Sequence, residues 1–385
     1  MATTDSAVPS RPPSAPRAAL LQTVLFLAVI VVTGVLALRG IASFDRPADA
    51  PVVTGQLAKR FETHYDESFP AKRFGVNLWA AIGLRVFGEG RPGVVLGREH
   101  WLYTSEEFNV GDSSARQLKV NLATIAWVHA QLKAQGIPLV VAIVPAKARV
   151  YPEFLDGHAP ARLQQSLHEQ LVAALAARGI PTADLLPTLV AAKAEQPTYF
   201  RTDTHWTPFG AQRAAAQVAA LVAERGHARA ADQRTRYVTT LGDEQPHRGD
   251  LFNYLPLDPY FASLLPPTDV VRPSETVAAD STTASDPADL FGDAAAPQVT
   301  LVGSSYSANP LWNFAGALRE ALGEDIANLS KEGVGPFPPM IQYLTGAELK
   351  QVKPRLVIWE IPERALIVKP DLHGFVLPLD VLNPP

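Results

Sequence analysis

A chain of 385 residues, 47% hydrophobic and with a formal net charge of -4, can bury one large core and has appendages besides. It has no long basic block to neutralise phosphates, so no nucleic-acid partner is expected. The absence of cysteine excludes disulfides, a thiol nucleophile and thiolate metal sites; the nine histidines include no His-Glu-x-x-His pair, and no metal or other cofactor is expected.

Residues 1–17 are polar and rich in Pro, Ser and Ala, and read as a disordered tail. Ala18 to Leu38 is a nearly continuous apolar run, broken only by Gln22, Thr23 and Thr33. A helix of about 20 apolar residues, at ~1.5 Å per residue, just crosses a bilayer core. Signal-peptide apolar regions are shorter, and the nearest Ala-x-Ala, Ala48-Asp49-Ala50, lies too far downstream, so the run reads as an uncleaved anchor. Arg11 and Arg17 precede it and Arg39 and Arg46 follow it, which leaves its orientation open. Residues 39–66, with Pro47 and Pro51, read as a linker, and one catalytic domain is expected over 67–385.

Within that domain Phe69 to Phe87 carries a helical pattern ended by Gly88, and Val94 to Tyr103 reads as a strand, a polar turn and a second strand. Leu118, Leu122, Ile125 and Leu132 lie at helical spacing before Gly136. Leu139 to Val144 is an uninterrupted apolar run, the mark of a strand buried on both faces. Leu163, Leu167, Leu171 and Leu175 mark the next helix, and Ile180 to Leu185 follows. Thr207-Pro208 reads as an N-cap and first helical position of a helix through about Glu224. Gln298–Val302, Ile326–Leu329 and Leu356–Trp359 read as short strands, with a helix between about Asn309 and Leu322. Short apolar strands alternating with amphipathic helices predict an α/β sandwich with a mostly parallel sheet, whose ligands bind beyond the carboxyl ends of the strands. Pro266 to Ala296 is rich in Pro, Ser, Thr, Ala and Asp, and is expected to be a flexible insertion without helix or strand.

Two motifs carry chemistry. Asp203-Thr204-His205-Trp206 offers a carboxylate two residues from an imidazole, and Gly303-Ser304-Ser305-Tyr306 offers a hydroxyl where a strand ends. A serine becomes a nucleophile when a histidine takes its proton, and the histidine needs a carboxylate to hold its tautomer. Strand, Gly, Ser, helix exposes a hydroxyl at a sheet edge, next to backbone N–H groups that can stabilise an oxyanion. Ser305 is preferred to Ser304 because two residues past the glycine the chain has turned out of the strand. Each motif alone is commonly an ordinary turn or a loop hydrogen bond; their joint occurrence points to a Ser-His-Asp hydrolase or acyltransferase built on Asp203, His205 and Ser305.

These motifs, with VVLGREHWLY from Val94, VPAKARVYPE from Val144, RTDTHW from Arg201, RGDL from Arg248, VGSSYS from Val302 and IWEIPER from Ile358, appear in an order that resembles the alginate O-acetyltransferases of the AlgJ/AlgX type. The resemblance runs from about Phe69 to Arg364 and is closer to the AlgJ branch, since an anchor precedes the domain and no carbohydrate-binding module is evident after it. It implies an SGNH-hydrolase-like three-layer α/β sandwich preceded by one transmembrane helix. The serine follows the Asp-x-His motif, which looks like the circularly permuted order of this group. It implies Asp203, His205 and Ser305 as the triad. The implied activity is acetyl transfer through a seryl ester to an exopolysaccharide hydroxyl. The chain would be single-pass in the inner membrane, with its tail in the cytoplasm and its catalytic domain in the periplasm. The implied partners are a polysaccharide acceptor, a membrane-bound acyltransferase that supplies the acetyl donor, and other polymer synthesis and export proteins.

Lys147, Arg201 and Arg364 are cations near strand or motif ends where they can contact an acidic sugar or sit in ion pairs. Tyr306 is placed to line the site or to fill the core beneath the turn, Glu360 and Arg364 to pair with each other, and Trp206 and Trp101 to stack on sugar rings or pack in the core. A polysaccharide acetylesterase with the same triad and a non-catalytic export-complex scaffold are the rival readings; acceptor dependence separates the first, and the presence of all three triad side chains argues against the second.

Overall fold

The computed structural model describes residues 16–47, 51–108, 110–155, 157, 165–279, 296–372 and 374–384. Its residues fall into two compact units, one running to Gly83 and including Pro256–Leu264, the other comprising Leu84–Leu255 and Leu265–Pro385. The tail before Pro16 lies outside the described residues.

In the first unit, helix α1, Pro16–Ala42, contains a stretch, Ala18–Ala42, long and apolar enough to cross a membrane, and its side chains are exposed. The expected linker holds a second helix, α2, Gln56–Ser68. It folds back on the end of α1: a side chain at Gly40 would meet Ser68 Oγ at 2.9 Å and Tyr65 at 3.0 Å, and Phe44 packs edge-on against Phe61 at 5.1 Å. Its apolar residues, Leu57, Ala58, Phe61 and Tyr65, are few among polar ones, and Phe61 and Tyr65, four apart, provide its packing edge, so no long apolar stripe marks the helix in the sequence. Helix α3, Lys72–Ile82, sets Phe74 against Tyr260 and Phe261, and the Asn77 amide donates to the Pro256 carbonyl.

The second unit begins with an antiparallel hairpin, β1 Val94–Leu96 and β2 Leu102–Thr104. In chain order there follow α4 Ser114–Ala134, β3 Leu139–Val144, α5 Lys147–Val150, α6 Leu167–Ala176, β4 Thr182–Asp184, α7 Leu186–Ala192 and α8 Pro208–Glu224. Strands β5 Tyr237–Leu241, β6 Gln245–His247, β7 Asp269–Val271 and β8 Ser274–Ala278 precede β9 Val299–Val302. Then come α9 Ser305–Ala308, α10 Phe314–Leu322, β10 Ile326–Asn328, α11 Phe337–Thr345 and β11 Leu356–Pro362. The central sheet has the order β10-β9-β11-β3-β4, and every neighbour pair is parallel.

Successive side chains of a strand point to opposite faces, so the uninterrupted apolar strands feed two cores. Val140, Ala142, Val144, Leu301 and Ile358 pack against α8 and α10. Val141, Ile143, Val302, Trp359 and Ile361 pack against α4, α6 and α11. The result is the expected three-layer sandwich with a parallel sheet.

Two local expectations are corrected. The stretch from Pro266 is not free of strands: β7 pairs with β6 and β8 with β5, both antiparallel, so ladder hydrogen bonds order a segment with little apolar surface. Its remainder, 280–295, lies outside the described residues. The helix expected from Asn309 to Leu322 is broken: Pro310–Trp312 forms a single 3-10 turn, Asn313 takes a left-handed conformation with φ 52°, and α10 starts anew. Pro310 lacks the N–H to continue α9, and the break brings Trp312 against the motif histidine.

Candidate active site

The loop before α8 is closed at its base like a short hairpin: Tyr199 and Trp206 form a bridge, the Phe200 N–H donates to the His205 carbonyl (3.2 Å), and the Thr207 N–H donates to the Thr198 carbonyl (3.0 Å). The Thr207 hydroxyl caps the helix by accepting from Gly210 N–H (3.1 Å), as the Thr-Pro pair predicts. Asp203 therefore sits at the loop tip, bent back over its neighbour. Its Oδ1 accepts from the His205 backbone N–H (2.9 Å) and from His205 Nδ1–H (2.7 Å). Its Oδ2 accepts from His247 Nε2–H (3.0 Å) and from Asp250 N–H (3.0 Å). The side-chain bond fixes the His205 tautomer, leaving Nε2 to accept.

The acceptor position at Nε2 is filled by the Ser305 hydroxyl, 2.7 Å away. Ser305 opens α9 directly after β9, at the carboxyl edge of the sheet. Ser304 is committed elsewhere: it is buried, and its N–H and hydroxyl both donate to Glu360 on the adjacent strand β11 (2.8 Å from the N–H). The Ser307 hydroxyl donates to the same carboxylate (3.0 Å). Only glycine fits at 303, since a Cβ there would lie 2.5 Å from Glu360 Oε2. Burial pushes the Glu360 carboxyl up, partly offset by these donors.

Burial also works against the Asp203 charge, but the hydrogen bonds from His205 and His247 outweigh it and hold the carboxyl well below the usual range. The Asp250 carboxyl, which accepts from Thr204 N–H (2.8 Å), is raised by burial and by the Asp203 charge. Trp312 stacks on the His205 ring with centroids 4.9 Å apart and donates its Nε1–H to the Ser305 carbonyl (3.0 Å). Asp203 is 3% exposed, His205 9%, and Ser305 is half-buried, so exposure increases along the hydrogen-bonded line from the carboxylate to the hydroxyl.

The four further residues picked from the sequence fall in different roles. Lys147 is 1% exposed, and its ammonium donates to the carbonyls of Phe200 (2.9 Å), Arg201 (3.0 Å) and Asp203 (2.8 Å). It grips the base loop from beneath and has no donor left for a sugar. Arg201 reaches the Pro267 carbonyl (2.9 Å) and borders a cleft of about 830 Å³. That cleft meets the site through Phe200 and Trp312; Ser305 and His205 are not among its walls. Tyr306 is fully buried and ties the two motifs together, donating to the Thr204 carbonyl (2.8 Å) and accepting from Arg364 Nη1 (3.0 Å). Arg364 also donates to Glu106 (2.9 Å), so Arg364 and Glu360 hold different partners instead of pairing with each other. Trp206 is core, its Nε1–H donating to the Tyr306 carbonyl (3.2 Å), and Trp101 stacks between Tyr151 and Phe154.

Sequence reasoning missed His247 and Asp269. His247 adjoins the RGDL segment but no spacing marks it as a third partner of Asp203. Asp269 accepts from Thr202 N–H (2.8 Å) and from the Thr202 hydroxyl (2.5 Å), yet it lies in the Pro- and Ser-rich stretch that reads as featureless. Asp203, His205 and Asp250 gather donor atoms within 4.8 Å of one another, close enough to consider a cation. The four hydrogen bonds accepted by Asp203 and the Nδ1–H of His205 use those atoms already, so the set fits a proton-transfer network better than a metal site.

The chain matches the family described as SGNH hydrolase-like domain, acetyltransferase AlgX, over residues 94–363. It is 47% identical over 349 residues to the probable alginate O-acetylase AlgJ of Pseudomonas fluorescens, covering 90% of this chain and 87% of that one. The solved O-acetyltransferase domain of Pseudomonas putida AlgJ is similar with a TM-score of 0.67 at 41% identity, covering 74% of this chain and 96% of that domain. Pseudomonas aeruginosa AlgX is similar with a TM-score of 0.51 at 26% identity, covering 71% of this chain and 66% of that one.

Proposed function

Because the chain belongs to the AlgJ/AlgX family of SGNH hydrolase-like acetyltransferases, we propose that it is an alginate O-acetyltransferase working through an acetyl ester on Ser305. The observation that carries the mechanism is the continuous line Asp203 Oδ1, His205 Nδ1, His205 Nε2, Ser305 Oγ, with 2.7 Å at each hydrogen bond. Ser305 Oγ attacks the acetyl carbonyl of the donor while His205 Nε2 takes its proton. The imidazolium is stabilised by Asp203, and returns the proton to the leaving group. A sugar hydroxyl then gives its proton to His205 and attacks the seryl ester, which releases the acetylated sugar and restores the Ser305 hydroxyl. The Ser305 N–H, at the first helical position and without an intrahelical acceptor, is the donor assigned to the oxyanion. Tyr306 and Arg364 hold the nucleophile turn to the base loop, and Arg201, which borders the cleft and is ion-paired with Asp269 at 3.9 Å, is the cation assigned to a uronate carboxylate.

Helix α1 is assigned as a retained single-pass anchor, with the catalytic domain on the periplasmic side; its length and apolar, exposed surface support the span, and the direction is the one the family resemblance implies. A membrane-bound acyltransferase is the assigned source of acetyl groups, and other polymer synthesis and export proteins are the assigned neighbours. The test is acceptor-dependent transfer. Full-length protein in detergent is given an activated acetyl ester and unacetylated alginate, and polymer-bound acetyl is measured by NMR. Acetyl on the polymer that requires Ser305 is expected. Release of free acetate with none on the polymer would replace this reading by an esterase.

A further inference from the structure

Helix α3 is inside out for a helix in water. Its buried positions are Asn77 and Ala81, and Asn77 spends its amide on the Pro256 carbonyl. Its outer face carries Phe74, Leu78 and Trp79, exposed by 45%, 38% and 69%, and Tyr260, packed edge-on against Phe74, is 54% exposed beside them. Phe74, Leu78, Trp79 and Ile82 fall on one stripe of the helix, while its only charges, Lys72 and Arg73, are both cationic and at its start. A water-facing stripe of this kind marks a surface that something covers.

The neighbouring helices say what covers it. The last turn of α2 packs on the last turn of the α1 span at Gly40, through Tyr65 and Ser68. Aromatic rings continue from there, Phe44 to Phe61 to Tyr65 to Phe69, each within 6.1 Å of the next, at the level where a span leaves the bilayer. Three residues separate Ser68 from Lys72, so at about 3.5 Å per residue α3 starts no more than ~14 Å from Ser68, which itself touches the end of the span at Gly40. Basic residues flanking a Trp- and Leu-bearing stripe are the composition of a helix that lies in the interface plane.

We propose that α3 rests on the phospholipid surface, with Phe74, Leu78 and Trp79 in the boundary between headgroups and acyl chains. This rests on the reading of α1 as a retained span. Lying flat, α3 gives the first unit a second membrane contact, so the chain leaves the bilayer along its surface instead of on a free tether.

The chain has no cysteine, so single-cysteine variants report one site each. Gly75→Cys lies on the same stripe, and a Cβ there meets nothing within 4 Å; Val31→Cys lies in the span and Glu224→Cys on an exposed surface of the second unit. Full-length protein carrying an environment-sensitive fluorophore is placed in vesicles of phosphatidylethanolamine and phosphatidylglycerol that contain shallow or deep spin-labelled lipids. At Gly75→Cys a blue shift and quenching by the shallow lipid are expected, both lost when Trp79→Glu is added, with turnover of a small acetyl ester unchanged. Deep quenching at Val31→Cys with a water-like signal at Gly75→Cys, equal to that at Glu224→Cys, would leave the anchor standing and overturn the docking. A shielded Gly75→Cys label that no lipid quenches would assign the face to protein and also overturn it. Absence of lipid quenching at Val31→Cys would overturn the span and the docking together.

Discussion

The turn that carries Ser305 and the loop that carries His205 meet at two hydrogen bonds, Ser305 to His205 and Tyr306 to Thr204, but are held in opposite ways. The turn, Gly303 to Ser307, is braced by a single anion next door: Glu360, on the strand paired with β9, accepts from Ser304 and Ser307. The base loop, Phe200 to His205, is braced by residues from distant parts of the chain. A cation, Lys147, holds three of its carbonyls; Asp250 and Asp269 hold its N–H groups; His247 holds its carboxylate. A turn built on a strand end inherits its position from the sheet and needs few fixing points: besides Glu360, only near neighbours, Trp312 and Asn328, hold its Ser305 and Ser307 carbonyls. A loop that bends a carboxylate back over its own histidine has carbonyls and amides facing inward, and each of them needs a partner.

This difference sets the order of expected losses. Ser305→Ala and His205→Ala remove the reacting groups, and turnover should fall by about 10⁶-fold, as in other serine triads, with circular dichroism unchanged. Asp203→Asn should cost about 10⁴-fold, because the amide favours the wrong imidazole tautomer, and steady-state rates on a small ester will show it. Lys147→Met removes a brace without touching a reacting atom. The buried carbonyls of Phe200 and Asp203 lose their donor at about 1–3 kcal/mol each, and the part-buried carbonyl of Arg201 loses its own, so thermal unfolding should shift down strongly and turnover fall about 10²-fold. Glu360→Gln, the matching change on the nucleophile side, should cost about tenfold, since the amide oxygen still accepts from the Ser304 N–H. Equal losses for Lys147→Met and Glu360→Gln would remove the distinction between the two regions.

The pH dependence sharpens it further. Burial pushes the Lys147 ammonium down to about 8. Above that pH the folded chain binds fewer protons than the unfolded one, so the contribution of this group to stability rises from about 8 towards its ordinary value. The neutral amine has only two N–H groups for three carbonyls, so turnover should fall over the same window while stability does not. The alkaline fall should vanish in Lys147→Met. At the acid end, Asp203 is held below its ordinary value, so its stabilisation is fully present above that value and is lost progressively as pH falls from it through the lowered, folded one.

The same contrast explains what was legible in the sequence. Strand, glycine and serine are contiguous, and the apolar runs that became β3, β9 and β11 announce the sheet and its two covered faces. Asp203 and His205 are two apart, so their contact is a local matter, and the Thr207-Pro208 cap places the helix behind them. The braces are not local: Lys147 lies over 50 residues from the carbonyls it grips, and Asp269 more than 60 from the Thr202 it holds. A lysine after a strand reads as a surface cation until three inward carbonyls are seen around it. Helix α2 was hidden for a related reason, because its packing edge is aromatic and narrow and most of the rest of it is polar.

The central claim is that Ser305, and not its neighbour, carries the acetyl group. Full-length protein is incubated with an activated acetyl ester, quenched in acid and digested, and the peptide spanning Gly303 to Ser307 is sequenced by mass spectrometry. One acetyl group is expected, on Ser305, retained in Ser304→Ala and absent from both Ser305→Ala and His205→Ala. An acetyl group on Ser304, or one that persists in Ser305→Ala at the wild-type rate, would contradict it.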